Sequence, residues 1–558
     1  MTDPLDRRRA PLRDADWRFL LPLPEGGRFE HLVLLGGSAG LTSRVADLGL
    51  ARRVSDAVPR ERSANAMVVL HGARVAATDI ARGLAPGGAL YWEINRRSLR
   101  HFGSSPARLH KALLAAGLEP TGVYAVGPNV FRPRVYLPLD VPGALRWYVS
   151  TLYNPWTRSL ALAETALRAL TGLDAGRFAR FAPDLAITAV AGHAPAPPSL
   201  LELAIHEIER SHGKLRPLML TSTHHETLSQ RVVILPFSAH GAQPVAAVKV
   251  SKSVALNATI TAEQSTLAEI RRLLDPAMRH TIPVPLHVHR VGDLSVSTET
   301  YLAGESLQRL SYQWGRSLRT KLEDLRLAAA WLAEFHRQTM SRRVPWGGAE
   351  RSQWMAQPIE RYRHTFGVTA HEGRLFAAAE RYGRALTGIP LPIVLRKPDF
   401  FGSNVLRSGD TLSVVDWESS HPGPALCDLL RFMVPWADAV SHLRGRRTFE
   451  NFRRLFFGSG EADTLVRGVH EVVAGYMARL DMDRSLFPVL LLYTWLERAL
   501  HHAEKQRLLG DVPRDPRAGN RHVGRVEVLA EHTQRLFSAA SETPVLDAPP
   551  APLPLGGS

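Results

Sequence analysis

Short apolar runs alternate with amphipathic stretches over the first third of the chain. HLVLLGG, residues 31–37, is typical of a buried strand that ends in glycine, and NAMVVLHG, residues 65–72, predicts another. RLHKALLAAGLEP, residues 108–120, has the apolar spacing of a helix and precedes a further strand pattern. This alternation indicates an α/β domain with a doubly wound, Rossmann-like sheet over residues 15–192.

The hydrophobic pattern changes beyond residue 200. RPLMLTST, QRVVILPF and PVAAVKV are short, β-rich and separated by turns, which predicts an antiparallel sheet. PLHVHRVGDLSVSTETYLAG, residues 285–304, predicts a hairpin that turns at Gly292-Asp293. LEDLRLAAAWLAEFHRQT and most of the sequence after it have helical spacing. A small β lobe followed by a larger helical lobe is therefore expected, an α+β bilobal arrangement.

The Pro- and Ala-rich segment HAPAPPSL separates the two patterns and is interpreted as a linker. The tail that starts at Ser541 has no helical or strand period and is predicted to be disordered. The predicted divisions are a first domain over 15–192, a linker over 193–200, a second domain over 201–540 with lobes of about 210–303 and 304–540, and a tail over 541–558.

Composition and charge narrow the class of protein. No apolar run reaches the roughly 18 residues that span a bilayer, and the N-terminus lacks the apolar region of a secretory signal. Cys427 is the single cysteine, which excludes an intramolecular disulfide. The net charge is +16, but the arginines are scattered and accompany no nucleic-acid-binding motif. A cytoplasmic protein without a membrane span or a nucleic-acid partner is expected; the pattern leaves the oligomeric state open.

A buried lysine has a candidate partner. Lys249 lies in an apolar strand, where an unpaired ammonium would be costly. The following segment, residues 261–274, is predicted as a helix with a capping box of Thr261 and Gln264. Glu263 is the acid on the otherwise apolar face of that helix. An ion pair between Lys249 and Glu263 is therefore expected; Glu269 is a weaker candidate, and an unrelated surface pair is the alternative.

The stretch KPDFFGSNVLRSGDTLSVVDWE, residues 397–418, combines two short strands with oxygen-bearing side chains. Asp399 and Asn404 are five residues apart, and Asp416 ends the second strand. The three side chains can therefore converge at one end of a hairpin. Phosphoryl transfer needs such ligands for Mg²⁺, a lysine on the nucleotide phosphates, and a carboxylate that takes the proton of the acceptor hydroxyl.

Residues of about 210 to 520 resemble the aminoglycoside phosphotransferase and choline kinase-like family, which shares the protein kinase-like fold. The resemblance rests on KPDFFGSN followed by LSVVDWE, and on TYLAG and PALCDLLRF. It implies that Asp399 is the catalytic base and that Asn404 and Asp416 hold Mg²⁺. It also implies that Glu263 positions Lys249 on the ATP phosphates. Asp428 would brace the catalytic loop.

Lys397 departs from this family, which has histidine at that position. The histidine is a packing and hydrogen-bonding post under the metal-binding segment. Because lysine cannot accept a hydrogen bond, the loop must be braced differently. Lys397 is thus expected to be a structural residue near the site. The turn TSTHHETLSQ also lacks the glycines of a phosphate-binding loop.

The first domain resembles a class I S-adenosylmethionine-dependent methyltransferase. LLGGSAG, residues 34–40, occupies the place of the family's glycine-rich cofactor loop, and LAPGGALYWE resembles the turn before its fifth strand. However, residues 51–65 can hold only one short strand, where the family has a strand, a helix and a second strand. Asp56 is the candidate for the ribose-binding acid. A truncated, degenerate domain is expected, for which S-adenosylmethionine is an unlikely cofactor.

The sequence therefore predicts a phosphotransferase that uses ATP and Mg²⁺ to modify a hydroxyl of a small molecule, such as a sugar, an aminoglycoside-like compound or a related metabolite. Net charge favours neutral or anionic acceptors weakly, because it says little about one pocket. Two alternatives stay open. One is a non-catalytic pseudokinase and scaffold with a degenerate methyltransferase-like module, and the other is an active methyltransferase with a kinase-like partner domain.

Overall fold

The computed structural model describes residues 12–24, 27–37, 39–95, 106–128, 130, 133–152, 158–170, 184–192, 197–221, 231–458, 463–508, 513–537, 548–550 and 553. The chain forms two compact units. The first contains residues 1–150, 164–265 and 284–301, and the second contains 151–163, 266–283 and 302–558.

The first unit is built on one sheet of twelve strands. In chain order these are β1 Phe29–Leu35, β2 Ala51–Ser55, β3 Ala64–Val69, β4 Leu84–Asn95, β5 Leu118–Gly127, β6 Val135–Pro138, β7 Asp184–Ala191, β8 Leu215–Leu220, β9 Arg231–Ser238, β10 Ala246–Ser251, β11 Pro285–Val291 and β12 Leu294–Thr300. Their order in the sheet is β11-β12-β10-β9-β8-β6-β5-β7-β4-β3-β1-β2. Strands β2, β1, β3 and β4 are parallel, and the other pairs are antiparallel.

The helices that lie wholly or partly in this unit have at most 17 residues. They are the 3₁₀ segments Leu12–Leu20 and Val254–Leu256, and the helices α1 Ala39–Asp47, α2 Ala77–Gly83, α3 Pro106–Ala115, α4 Pro142–Thr151, α5 Arg158–Leu170, α6 Leu200–His212 and α7 Asn257–Leu273. The hairpin of β11 and β12 and the antiparallel arrangement of β8, β9 and β10 confirm those predictions. One short strand, β2, lies between α1 and β3, as the length of that segment predicts.

The predicted boundary at residues 193–200 does not separate the compact units. Strand β6 pairs with β8, with Val135 opposite Leu220, so the strands on both sides of the segment belong to one sheet. Residues 193–196 lie outside the described part of the chain. Ser199 begins α6 by accepting a hydrogen bond from the backbone N–H of Glu202, whose carboxylate accepts from the Ser199 backbone. A Pro-rich composition predicts a local break, but it carries no information about which strands pair.

A buried ion pair joins the beginning of the chain to β10. The Lys252 ammonium lies 2.5 Å from the Asp16 carboxylate, and both residues are at most 2% exposed. Arg18 donates to the Lys252 carbonyl at 2.5 Å. Helix α6 adds the apolar positions Leu201, Ile205 and others to the same core. The first 200 residues and the predicted N-lobe strands therefore share one core.

The second unit is mainly helical. Its elements are α8 Pro276–Arg279, β13 Glu305–Ser306, α9 Leu307–Tyr312, α10 Leu318–Gln338, β14 Arg342–Pro345, α11 Gly348–Arg351, a π turn Ser352–Ala356, α12 Gln357–Phe366, α13 Ala370–Ala385, β15 Pro390–Arg396, β16 Val405–Ser408, β17 Thr411–Val414, β18 His421–Pro424, α14 Cys427–Val440, α15 Arg447–Phe457, α16 Thr464–Arg479, a 3₁₀ turn Arg484–Leu486, α17 Phe487–Leu508, α18 Arg521–Glu531 and α19 Thr533–Leu536.

Two small sheets, β13-β16-β17 and β14-β15-β18, pack into this helical unit. The long helix α10 confirms the helical prediction for LEDLRLAAAWLAEFHRQT. Most of the predicted disordered tail, residues 541–558, lies outside the described residues. Among the described helices, none combines the length and apolar composition needed to cross a bilayer.

Candidate active site

The predicted pair of Lys249 and Glu263 is present in the first unit. The Lys249 ammonium lies 2.6 Å from one carboxylate oxygen of Glu263, and both side chains are buried. The other oxygen of Glu263 accepts from Arg231 at 2.6 Å. The alternative of an unrelated surface pair is therefore wrong.

A second carboxylate, which was not predicted from the sequence, also holds Lys249. Glu299 lies 2.9 Å from the ammonium. Ser297 stands opposite Lys249 on β12, so Glu299 is two residues further along and on the same face of the sheet. Burial raises the pKa of Glu299, with Lys249 opposing that effect. Alternate side chains of a strand lie on one face, so the pairing of β12 with β10 would have predicted that Glu299 lies near Lys249.

Helix α7 begins at Asn257, four residues before the predicted capping box. Thr261 bonds back to the Asn257 carbonyl from within the helix, so the predicted N-terminus at Thr261 is wrong. Asn257 is held by Ser251 at 2.6 Å and by the backbone N–H of Ser295 at 2.8 Å, both through its side-chain oxygen. These bonds to two strands fix where the helix begins, and Glu263 lies about two turns into it.

In the second unit, hydrogen bonds place Asp399, Asn404 and Asp416 at one end of the β16–β17 hairpin. The side-chain nitrogen of Asn404 donates to the Asp399 carbonyl at 2.9 Å. The backbone N–H of Val415 donates to the Asn404 carbonyl at 3.0 Å, which brings the start of β16 next to the end of β17. Asp416 follows directly. The Ser419 hydroxyl donates to a carboxylate oxygen of Asp399 at 3.1 Å.

The loop between Asp399 and Asn404 packs tightly against helix α9. The backbone N–H of Gln308 donates to the Gly402 carbonyl at 2.9 Å. A Cβ atom on Gly402 would lie 2.8 Å from that same nitrogen, so only glycine allows this approach. The loop is thus anchored to a helix on one side and to the hairpin on the other.

Asp416 has an unusual backbone conformation. Its φ is +68°, in the left-handed region that a residue with a Cβ atom rarely adopts. Such conformations persist only where surrounding contacts hold them, and they cluster at functional sites. Trp417, the next residue, is buried and donates from its ring nitrogen to the Val414 carbonyl at 3.0 Å, which holds its indole ring in the core. Glu418 is exposed.

Lys397 braces the site by donating hydrogen bonds. Its ammonium bonds to the Asp416 carbonyl and lies 4.8 Å from the centre of the Trp417 ring. Its backbone N–H donates to Asp428 at 2.6 Å. The side chain is buried, so it is placed under the segment that carries Asp416. A lysine therefore supports this loop through donation, where a histidine could also have accepted.

Asp428 is the centre of a buried network, in agreement with its predicted position near the loop. Arg396 donates to it at 3.1 Å, and the His336 ring nitrogen lies 3.4 Å away. Burial alone would raise the pKa of Asp428, but the Arg396 guanidinium and His336 outweigh it and hold that pKa well below its usual range. Arg396 also donates two bonds of 2.9 Å to Glu497. Arg396, His336 and Glu497 come from three different elements and were not predicted from the sequence.

The structure gives little support for a cofactor site at the positions predicted in the first 192 residues. Ser38 of the glycine-rich segment lies outside the described residues, and Asp56 is exposed just after β2. A polar cluster that the sequence analysis missed lies at the ends of β3 and β4. His71 contacts the buried Glu93 at 3.1 Å, and the Tyr91 hydroxyl donates to the same carboxylate at 3.1 Å.

Residues 245–462 match the Phosphotransferase enzyme family. The matched part indicates a phosphotransferase, and it contains all seven predicted site residues, from Lys249 to Asp428. No curated protein matches the chain.

Several solved structures resemble the chain weakly. A thermostable mutant of aminoglycoside phosphotransferase APH(4)-Ia with ADP and hygromycin B is 15% identical, with 59% of this chain and 98% of that chain covered and a TM-score of 0.35. Amicoumacin kinase hAmiN is 10% identical, with coverages of 58% and 88% and a TM-score of 0.33. A choline/ethanolamine kinase family protein from Mesorhizobium loti is 14% identical, with coverages of 59% and 97% and a TM-score of 0.28.

Proposed function

We propose that this protein is an ATP- and Mg²⁺-dependent phosphotransferase that transfers the γ-phosphoryl group to a hydroxyl of a small-molecule acceptor. The observation that carries the proposal is the family match over residues 245–462. Within that range, Lys249 is bonded to Glu263, and Asp399, Asn404 and Asp416 stand at one hairpin end. The residue types are those that phosphoryl transfer requires.

Asp399 is proposed as the catalytic base. Its carboxylate is half-buried and accepts a hydrogen bond from Ser419, which limits its rotation. In the transfer, the acceptor oxygen forms a bond to the γ-phosphorus, the bond from that phosphorus to the oxygen of ADP breaks, and the hydroxyl proton passes to Asp399. ADP and the phosphorylated acceptor are the products.

The donor set of Asn404 and Asp416 fits Mg²⁺, which prefers a few carboxylate or amide oxygens. The Asn404 side-chain nitrogen donates to the Asp399 carbonyl, and its oxygen accepts from the Ser403 hydroxyl at 3.3 Å, with a second lone pair left for a cation. Lys397 holds the Asp416 carbonyl and thereby fixes the backbone from which that carboxylate projects. When bound, the ion would neutralise charge on the phosphates of the nucleotide.

Lys249 is proposed to contact the nucleotide phosphates. Glu263 and Glu299 both hold its ammonium, at 2.6 and 2.9 Å. These two contacts limit the rotation of the Lys249 side chain, which preorganises its ammonium for an anionic ligand. Arg231 offsets part of the added negative charge through its bond to Glu263.

The proposal is tested with the Asp399→Asn variant. Phosphate transfer from ATP to a panel of hydroxyl acceptors should fall by about 10²- to 10⁴-fold, because the general base is removed. Asp410→Asn is the matched control, since Asp410 is on the same hairpin with its side chain 99% exposed. Equal transfer rates for Asp399→Asn and the wild-type protein would rule out this function.

A further inference from the structure

A group of basic side chains lies close to the loop that carries Asp399 in the second unit. Arg498, His501 and Lys505 follow one another on one face of α17, at i, i+3 and i+7. The Arg498 guanidinium lies 5.3 Å from the centre of the Phe401 ring. The backbone N–H of Phe401 donates to the Asp399 carbonyl at 2.8 Å. Arg498 thus packs against the short loop that carries the proposed base, Asp399.

Two neighbouring helices add further positive charge. Arg431 on α14 and Arg521 on α18 both act electrostatically on Arg498, as does Arg525, one turn further along α18. Arg431 and Arg525 are buried, whereas Arg521 and His501 are exposed. The group therefore extends from the protein interior to the surface.

The carboxylates of Glu497 and Asp438 are already engaged by other side chains. Glu497 accepts two bonds from Arg396 and lies 3.4 Å from Arg431. Asp438 accepts from Asn451 at 2.8 Å and lies 3.4 Å from Arg525.

Arg498 and Arg521 form no salt bridge with any residue that the structure describes. Burial and the neighbouring arginines lower the pKa of Arg498 to about 9, with Asp399 acting in the opposite direction. A half-buried guanidinium without a paired carboxylate is costly, and an anion beside it would reduce that cost.

We propose that the acceptor of this phosphotransferase carries an anionic group, a phosphate or a carboxylate, which Arg498 binds together with Arg521 and His501. The inference rests on the proposed function of Asp399. Guanidinium groups bind both kinds of anion through paired N–H donors. A polycationic acceptor would meet like charges here, and such contacts are unfavourable.

The first test measures anion binding, so that it does not depend on turnover. Inorganic phosphate and acetate are titrated separately into the full chain by calorimetry, with AMP-PNP and Mg²⁺ present to fill the nucleotide site. At least one anion should bind, and Arg498→Gln should weaken that binding by about 10-fold or more, as expected for a charge-assisted hydrogen bond. Arg498→Lys should weaken it less.

Arg374→Gln is the matched control, because Arg374 is an exposed arginine on α13. It should leave anion binding unchanged. If Arg498→Gln and Arg374→Gln have equal effects, Arg498 only packs on Phe401 and the inference is wrong. Failure of both anions to bind the wild-type chain would overturn it as well.

The second test compares acceptors that differ in charge. Glucose, glucosamine, glucuronate and glucose 6-phosphate provide a neutral, a cationic, a carboxylate and a phosphate form of one sugar. Any preference in kcat/KM should favour an anionic form, and Arg498→Gln should reduce that preference. Preferred turnover of glucosamine would overturn the inference while leaving phosphotransfer intact. Anion binding that depends on Arg498, with transfer unaffected by Asp399→Asn, would instead refute the proposed function and retain the anion site.

Discussion

The buried pair of Asp16 and Lys252 should contribute strongly to the stability of the first unit. Its atoms lie 2.5 Å apart, and the side chains are 0% and 2% exposed. Asp16→Asn preserves the shape of the side chain but removes its charge. Lys252 would keep its hydrogen bond of 3.0 Å to the Thr221 carbonyl, without the carboxylate that now balances its ammonium. Loss of one partner of a buried ion pair costs about 3–5 kcal/mol.

Hydrogen exchange read by mass spectrometry measures this effect locally. Peptides that cover residues 12–20 and 246–252 should exchange faster in Asp16→Asn, with a loss of free energy in the stated range. Asp79→Asn is a matched control in the same unit, because Asp79 forms an exposed pair with Arg82 at 3.2 Å. Such surface pairs are worth about 0–1 kcal/mol. If the two variants lose equal stability, the pair does not join the beginning of the chain to β10.

A double variant separates the loss of a pair from the burial of an unpaired charge. Asp16→Leu combined with Lys252→Met should recover part of the stability that Asp16→Asn loses, because apolar groups can replace a buried ion pair. Arg18, which lies 3.5 Å from Asp16, would keep only its bonds to the Ala15 and Lys252 carbonyls, so the recovery is incomplete. The same reasoning applies to truncation. A fragment of residues 201–558 would leave Lys252 without its carboxylate and β8 without β6, so it should be less stable and should aggregate more than the full chain.

Three further outcomes are expected. Glu299→Gln should destabilise the first unit by about 1–3 kcal/mol in denaturant, since it removes one of the two carboxylates bonded to Lys249; an unchanged midpoint would contradict that role. Burial opposes ionisation of Glu497, but the Arg396 guanidinium outweighs it and lowers the pKa of Glu497 from 4.5 to about 2. The ionised form therefore contributes about 3 kcal/mol of stability above pH 4.5. That stability is lost as the pH falls toward 2. Glu497→Gln should therefore melt at lower temperature at pH 7 and show a shallower loss between pH 4.5 and 2, whereas a parallel pH profile would argue against this account. Lys397→Met should lower the free energy of unfolding by about 1–3 kcal/mol, because the Asp416 carbonyl loses its donor. Lys397→Arg should recover part of the melting temperature and of kcat. Equal losses in both variants would show that the bond donated to Asp416 is not what matters.

The elements that depend on nearby residues could be predicted from the sequence. The hairpin around Gly292-Asp293 and the paired strands β16 and β17 follow from short apolar runs separated by turn residues. The pair of Lys249 and Glu263 follows from an acid on an apolar helical face next to a strand that contains a lysine. In each case the partners are close in the chain, so local spacing is enough to relate them.

The continuity of the large sheet could not be predicted in this way. Val135 and Leu220 are opposite one another although 85 positions separate them in the chain, and a Pro-rich segment lies between. The same limit explains why Glu299 was missed, since its contact with Lys249 depends on the register of β10 with β12. Arg396, His336 and Glu497 meet around Asp428 from a strand and two helices, which no spacing rule relates.

Lys397 shows why a departure from a family pattern has to be judged by hydrogen-bond roles. A lysine can only donate, and in this chain the groups next to it are acceptors: the Asp416 carbonyl takes its ammonium, and the Asp428 carboxylate takes its backbone N–H. The Trp417 ring accommodates the remaining charge as a cation–π contact. Lysine at position 397 therefore holds the Asp416 backbone by donating to its carbonyl. The loop geometry gives no reason to prefer a non-catalytic protein. If Lys397→Met removes phosphotransfer while ATP binding persists, the support of Asp416 is the contribution that this lysine makes.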